Sequence, residues 1–256
     1  MKFFLAPMQG LTGYTVRNAF HHNFDYIDKY YTPFIPAAKR MNAKIKRDID
    51  PVNNDGITLI PQAMSIVADE VIDLHRQLVP YGYDEINVNL GCPSGTVVSK
   101  KRGSGILAYP DMLDSFLDEL YTKADFPVSI KTRVGFNDDE LWPKLIEIYS
   151  KYPISELTVH PRVQKDFYKY TPRMETYRYA AEHSRHSLCF NGDIHSAGAY
   201  GQLRQTFPET EKVMLGRGIL QDPGLVRELR MVEAQFEAKD SDTPVGNKKR
   251  NIVDKQ

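Results

Sequence analysis

The chain reads as an α/β protein of the (β/α)8 TIM-barrel type. Two observations in the sequence lead there: eight short apolar runs, and helix-like amphipathic stretches between most of them. Parallel neighbours in a sheet need a crossover, so this alternation implies a parallel sheet covered by helices, and eight strands suffice to close a barrel. A third observation argues against an open doubly wound sheet. The glycine-rich turn usual after its first strand is missing, and Ala6-Pro7-Met8-Gln9-Gly10 stands there instead.

The strands are expected at 2–6 (KFFLA), 25–31 (DYIDKYY), 57–62 (ITLIPQ), 84–90 (DEINVNL), 127–131 (PVSIK), 155–160 (SELTVH), 187–191 (SLCFN) and 212–216 (EKVML with Gly216, allowing one residue of slip). Helices are expected near 67–80, 110–122, 139–151, 173–184 and 196–206, with a last one after Asp222-Pro223 reaching about residue 238. The barrel thus occupies 1–238, and 239–256 form a polar tail.

Composition bounds the function classes. The 256 residues are 41% hydrophobic and 26% charged, with 33 basic and 33 acidic side chains, so one large core is within reach and no general attraction to nucleic acid exists. Any such partner needs local patches, and three stand out: Lys39-Arg40 with Lys44, Lys46 and Arg47; Lys100-Lys101-Arg102; and Lys248-Lys249-Arg250. No signal peptide or membrane-length apolar run is present, which makes the cytoplasm the expected location. Two cysteines, Cys92 and Cys189, are too few and too far apart for a disulfide scaffold or a metal knuckle. Cys189 suits core packing. His21-His22, His183 and His186 suit surface or cap positions, so no metal is expected.

In a barrel, the carboxyl ends of the strands converge on one face. Here they carry Pro7, Met8 and Gln9; Gln62; Asn87, Asn89 and Cys92; Lys131 and Arg133; His160 and Arg162; Asn191, Gly192 and Asp193; and Gly216, Arg217 and Gly218. Amides, one ammonium and one imidazole suit a planar heterocycle with carbonyls and ring nitrogens. The last two loops suit a phosphate, and the combination points to a ligand like flavin mononucleotide (FMN).

The segments LAPMQGLT (5–12), NVNLGCP (87–93) continuing as SGTVVSKKRGSG (94–105), SIKTRVG (129–135), LTVHPR (157–162), FNGDI (190–194) and MLGRGIL (214–220) resemble the tRNA-dihydrouridine synthases over about residues 3–230. The resemblance implies a flavoenzyme on a (β/α)8 barrel that uses NADPH or NADH to reduce a uridine of tRNA. It implies Cys92 as proton donor, and Gln62, Lys131 and His160 as flavin contacts. Asn191, Gly192, Gly216 and Arg217 hold the phosphate, and Pro7, Met8 and Asp193 complete the cofactor set. On the substrate side, strand-end position places Asn89 and Arg133, the resemblance adds Arg162 and Tyr168, and the basic loops on the same face put Arg40, Lys44 and Arg102 on RNA phosphates. The chain looks like a short form, since only about 25 residues follow Arg230, where relatives usually continue into a helical domain. The loop after His160 also differs: Arg162 and Tyr168 match the family pattern and the middle does not. Two other readings stay open, a flavin reductase of a small unsaturated molecule such as a pyrimidine or enone, and a non-enzymatic RNA- or protein-binding barrel.

Overall fold

A computed structural model describes residues 1–24, 26–37 and 40–241. The strands are β1 (Lys2–Leu5), β2 (Lys29–Tyr31), β3 (Ile35–Pro36), β4 (Leu59–Ile60), β5 (Gln62–Met64), β6 (Ile86–Leu90), β7 (Val128–Gly135), β8 (Leu157–Val163), β9 (Leu188–Phe190) and β10 (Lys212–Leu215). The helices are α1 (Tyr14–Phe24), α2 (Ala43–Ile49), α3 (Ala68–Leu78), α4 (Gly95–Val98), α5 (Pro110–Lys123), α6 (Trp142–Tyr149), α7 (Met174–His183), α8 (Ala197–Thr206), α9 (Arg217–Gln221) and α10 (Leu225–Ser241). The last runs past residue 238, and 242–256, with Lys248, Lys249 and Arg250, lie outside the described residues, as does Lys39.

The architecture is a curled, parallel sheet flanked by helices, in the order β3-β5-β6-β7-β8-β9-β10-β1-β2-β4. This corrects the expected eight-stranded closed barrel: by its hydrogen-bonded pairs the sheet is an open run of ten strands. The extra strands have two origins: β3 lies beyond the run expected at 25–31, after Thr32-Pro33-Phe34, and the run expected at 57–62 is broken by Pro61, which has no N–H to donate and separates β4 from β5. Thr32 spans both places. Its N–H donates to Ile60 O at 3.1 Å, and its hydroxyl accepts from Gln62 N at 2.9 Å.

Side chains alternate across each strand, and that period sorts the core. Phe3 and Leu5 of β1, Val88 of β6 and Ile130 of β7 belong to the large cluster under the helices. Phe4, Ala6, Tyr31, Ile60, Cys189 and Met214 form a second cluster on the concave side. Helices meet the large cluster with one stripe each. On α5 the buried positions Leu113, Phe116, Leu117 and Leu120 follow the helical repeat, and each buried leucine contributes about 1.5–3 kcal/mol. Trp142 of α6 ties two helices together by donating its indole N–H to Thr176 O of α7 at 2.8 Å.

The concave face is divided. Gln62, Asn87, Asn89, Ser129, Lys131, Thr158 and His160 make it polar along β5 to β8, whereas β9, β10, β1 and β2 keep it apolar. Its amino-terminal end is closed by Glu156, 3% exposed, which accepts from Tyr31 Oη at 2.8 Å and Lys212 Nζ at 2.9 Å. A buried carboxylate persists only when so paired. Among the described residues no helix is long and apolar enough to cross a membrane.

Candidate active site

The open, carboxyl-terminal end of the sheet holds a cavity of about 370 Å³. Its wall brings together Pro7, Met8, Asn89, Cys92, Lys131, Arg133, His160, Tyr168, Asn191, Gly192, Asp193, Gly216 and Arg217 from the expected set. Ala6, Leu11, Phe34, Pro93 and His195 also line it and were not expected. Phe34 enters because the chain breaks between β2 and β3, which the continuous run 25–31 did not signal; His195 follows the recognisable segment 190–194 directly.

A chain of amides sets the thiol. Asn87 donates to Ser129 Oγ at 3.0 Å, and Gln62 donates to Asn87 Oδ1 at 2.7 Å. Asn89 donates to Gln62 Oε1 at 2.7 Å and with its own Oδ1 accepts from Gly91 N at 3.1 Å and Cys92 N at 2.9 Å. The last two bonds turn the strand end and aim Cys92. Gln62, expected against a ligand, is instead fully buried with both ends of its amide engaged, so it acts through Asn89. From the other side, Ser104 donates to Cys92 O through N at 3.1 Å and Oγ at 2.8 Å. Gly103 is required beside it: its φ is +55°, and a Cβ there would lie 2.8 Å from Cys92 O. Burial pushes the Cys92 thiol up, against the pull of a backbone bond at Ser94 and of Arg133 and Lys131, so it is protonated at neutral pH.

Lys131 and His160 face the same space in different states. Burial, helped by Arg133, pushes the Lys131 ammonium down to about 7. No hydrogen bond or ion pair holds its amine among the described residues, which leaves it for a ligand. His160 is pushed well below its ordinary value by burial and then by Lys131, Arg133, Arg162 and Arg217. Its Nε2 lies 3.1 Å from Arg162 Nη1, and a guanidinium only donates, so Nε2 is the acceptor and the imidazole proton sits on Nδ1.

Three arginines brace the rim. Arg133, 1% exposed, donates to Gly91 O at 3.0 Å, Val163 O at 2.8 Å and Phe167 O at 2.7 Å. Arg162, expected at the substrate, is buried behind the wall and bound to Tyr170 O, His160 and Asp193. Arg217 donates to Asp193 Oδ1 at 2.6 Å and Tyr168 O at 3.3 Å. Burial favours the Asp193 acid, but Arg162 and Arg217 outweigh it and hold the carboxyl below its usual range. The half-exposed Tyr168 ring has Arg133 at 5.3 Å and Arg217 at 5.0 Å, within cation–π reach, and the His160 ring at 6.3 Å. At the glycine end, Asn191 donates to Met214 O at 2.8 Å, and a Cβ on Gly218 would fall 2.1 Å from Ile194 O. Those two loops can pack only with glycine at 218.

The basic residues expected on RNA do not line the cavity. Arg40, just before α2, and Lys44, within it, are exposed, and Arg102 is paired with Glu70 at 3.2 Å. No group of acids, histidines and cysteines fit for a metal occurs among the described residues.

A parallel α/β sheet with thiol, amine, imidazole and amides converging at its strand ends defines an enzyme-type, ligand-binding site. The dihydrouridine synthase (Dus) family model matches residues 4–255, and the chain belongs to that family. It is 27% identical over 263 residues to tRNA-dihydrouridine synthase B of Pasteurella multocida (strain Pm70), covering 98% of this chain and 75% of that protein. It is 26% identical over 250 residues to tRNA-dihydrouridine(16) synthase of Neisseria meningitidis serogroup A (strain Z2491), covering 94% and 74%. Among solved structures, a variant of NCR from Zymomonas mobilis superposes with a TM-score of 0.60 at 11% identity, over 90% of this chain and 87% of that one. N-(5'-phosphoribosyl)anthranilate isomerase from Pyrococcus furiosus gives 0.55 at 13%, over 92% and 99%. Those two likenesses concern the fold alone.

Proposed function

We propose that the protein reduces a uridine of tRNA to dihydrouridine, with FMN as resident cofactor and NADPH or NADH as reductant. The observation that carries this is the convergence of a protonated Cys92, an unpaired Lys131 amine and a neutral His160 on one cavity. Family membership supports the reaction, and the names of the Pasteurella and Neisseria relatives supply tRNA. The donor set fits a flavin. Lys131 and the Nδ1–H of His160 offer donors to ring oxygens and nitrogens, while Gly192, Gly216 and Arg217 form an end suited to a phosphate. A side chain on Gly216 would project between Ala6 and Met8, each 3.7 Å from the added Cβ, into the space the ligand needs.

Bound FMN would supply the hydride for C6 of the uracil. The chain's own residues would do the rest. Cys92 gives its proton to C5, which its raised thiol pKa permits at neutral pH. Asn89 fixes the approach of that thiol through the Cys92 N–H. Arg133, braced by three carbonyls, and Tyr168 wall the base in, after extrusion of the uridine from the RNA stack. We also propose that residues 1–238 form a single domain and 239–256 a tail.

The test is incubation of FMN-loaded protein with NADPH and unmodified tRNA, followed by mass-spectrometric mapping of dihydrouridine. Product at a defined position is expected. Flavin reduction by NADPH with no dihydrouridine formed would sink the proposal.

A further inference from the structure

Several exposed apolar side chains, including Leu11, Tyr109, Leu141 and Tyr168, lie in the segments leaving the strand carboxyl ends, on the face that carries the cavity. Tyr109 differs from the others. It is the residue at which α5 begins, it is 45% exposed, and the ammonium of Lys101 stands over its ring at 4.4 Å from the centroid. Lys101 has a φ of +55°, a conformation that residues other than glycine adopt only where the surroundings hold it. Its N–H donates to Val98 O at 2.9 Å, which closes the short turn after α4 and presents the side chain to Tyr109.

The charge around this ring is asymmetric. Lys100 and Lys101 are exposed and enter no ion pair among the described residues. Asp111 stands in the first turn of α5, and Glu70 is already held by Arg102 at 3.2 Å. Arg102, expected on RNA from the sequence, is therefore partly neutralised, and Lys100 and Lys101 keep their charge without an ion pair among the described residues. An aromatic face flanked by lysines is the arrangement that stacks a nucleobase and takes the adjoining phosphate.

We infer that Tyr109, with Lys100 and Lys101, forms a stacking subsite for a second, unpaired nucleotide of the RNA whose uridine enters the cavity. The inference rests on the reaction proposed above and adds where the rest of the RNA is gripped. Both ends of one segment are involved: Cys92 opens it, Ser104 inside it donates twice to Cys92 O, and Tyr109 closes it. A base on the platform is thus held by the same segment that holds the thiol.

The experiment is titration of the full-length protein with unmodified tRNA at several salt concentrations, comparing Tyr109→Ala, Tyr109→Phe and Lys101→Gln, with melting temperature as the folding control. Tyr109→Ala should weaken binding about tenfold at every salt concentration without altering the salt slope, while Tyr109→Phe stays within about twofold of the parent. Lys101→Gln should lower the slope by about one. If the parent protein binds no tRNA, the subsite and the tRNA reading fall together. If the parent binds and reduces tRNA while Tyr109→Ala binds as tightly, the subsite alone is overturned. Equal loss in Tyr109→Phe would overturn stacking. Unchanged tRNA affinity with altered self-association would assign the ring to a protein contact and overturn it as well.

Discussion

Cys92 and Lys131 illustrate how one environment moves two groups toward their neutral forms. Burial raises the thiol and lowers the amine, because in both cases the charged form loses hydration. For Cys92 the outcome is an acid that keeps its proton at neutral pH. Cys92→Ala should therefore retain flavin, read by its visible absorbance, and lose about 10²- to 10⁴-fold in dihydrouridine formation. Loss of the colour instead would place the thiol on the cofactor. For Lys131 the consequence is a pH dependence of stability. With an ordinary value of 10.5 in the unfolded chain and about 7 in the folded one, the unfolded state binds the extra proton between those limits. Flavin-free protein should thus gain stability as pH rises from about 7 toward 10.5, with a slope of at most about 1.4 kcal/mol per pH unit from this residue. Denaturant titrations of the parent and Lys131→Met across that window check it, and an identical slope in both would contradict the assignment.

Single elements show what the sequence made legible. The helices at 67–80, 110–122, 139–151, 173–184 and 196–206 fall on α3, α5, α6, α7 and α8 because each carries an apolar stripe at helical spacing. The four-residue α4 and the five-residue α9 are too short to show one, and α1 and α2 lie where no helix was expected. The break at Pro61 was hidden because its β-branched and apolar neighbours read as continuous strand, and the two-residue β3 beyond Pro33 was too short to read at all. At the site, strand-end position located Cys92, Lys131 and His160. Position alone does not say which polar side chain lines the cavity and which is engaged by its neighbours, and Gln62 and Arg162, both at strand ends, lie behind the wall. The glycine loops supply the prediction at this scale. Gly218→Ala must push α9 away from the loop carrying Ile194, and a loss of about 1–3 kcal/mol together with weakened flavin binding is expected by denaturation and fluorescence titration. Unaltered stability would mean that the two loops separate freely.

For the whole molecule, a net charge of zero makes any affinity for RNA a matter of placement. Arg40 and Lys44 are exposed, and neutralising both should reduce the salt slope of tRNA binding by about two; Arg102→Gln, which removes a paired charge, should change it less. Anisotropy titrations from low to physiological salt compare them, and a slope reduced by a full unit in Arg102→Gln, the same as for either Arg40 or Lys44 alone, would show that Glu70 does not neutralise it. The division of the concave surface into polar and apolar halves has a further consequence. It seals Cys189 completely among Phe4, Tyr31 and Met214 while Cys92 stays partly open to solvent. The native chain therefore carries its own counting label. A maleimide should find one sulfur per folded molecule and two per unfolded one, so the number of adducts counts intact cavities, and the rate at which the first adduct forms registers whether something already fills the space beside it.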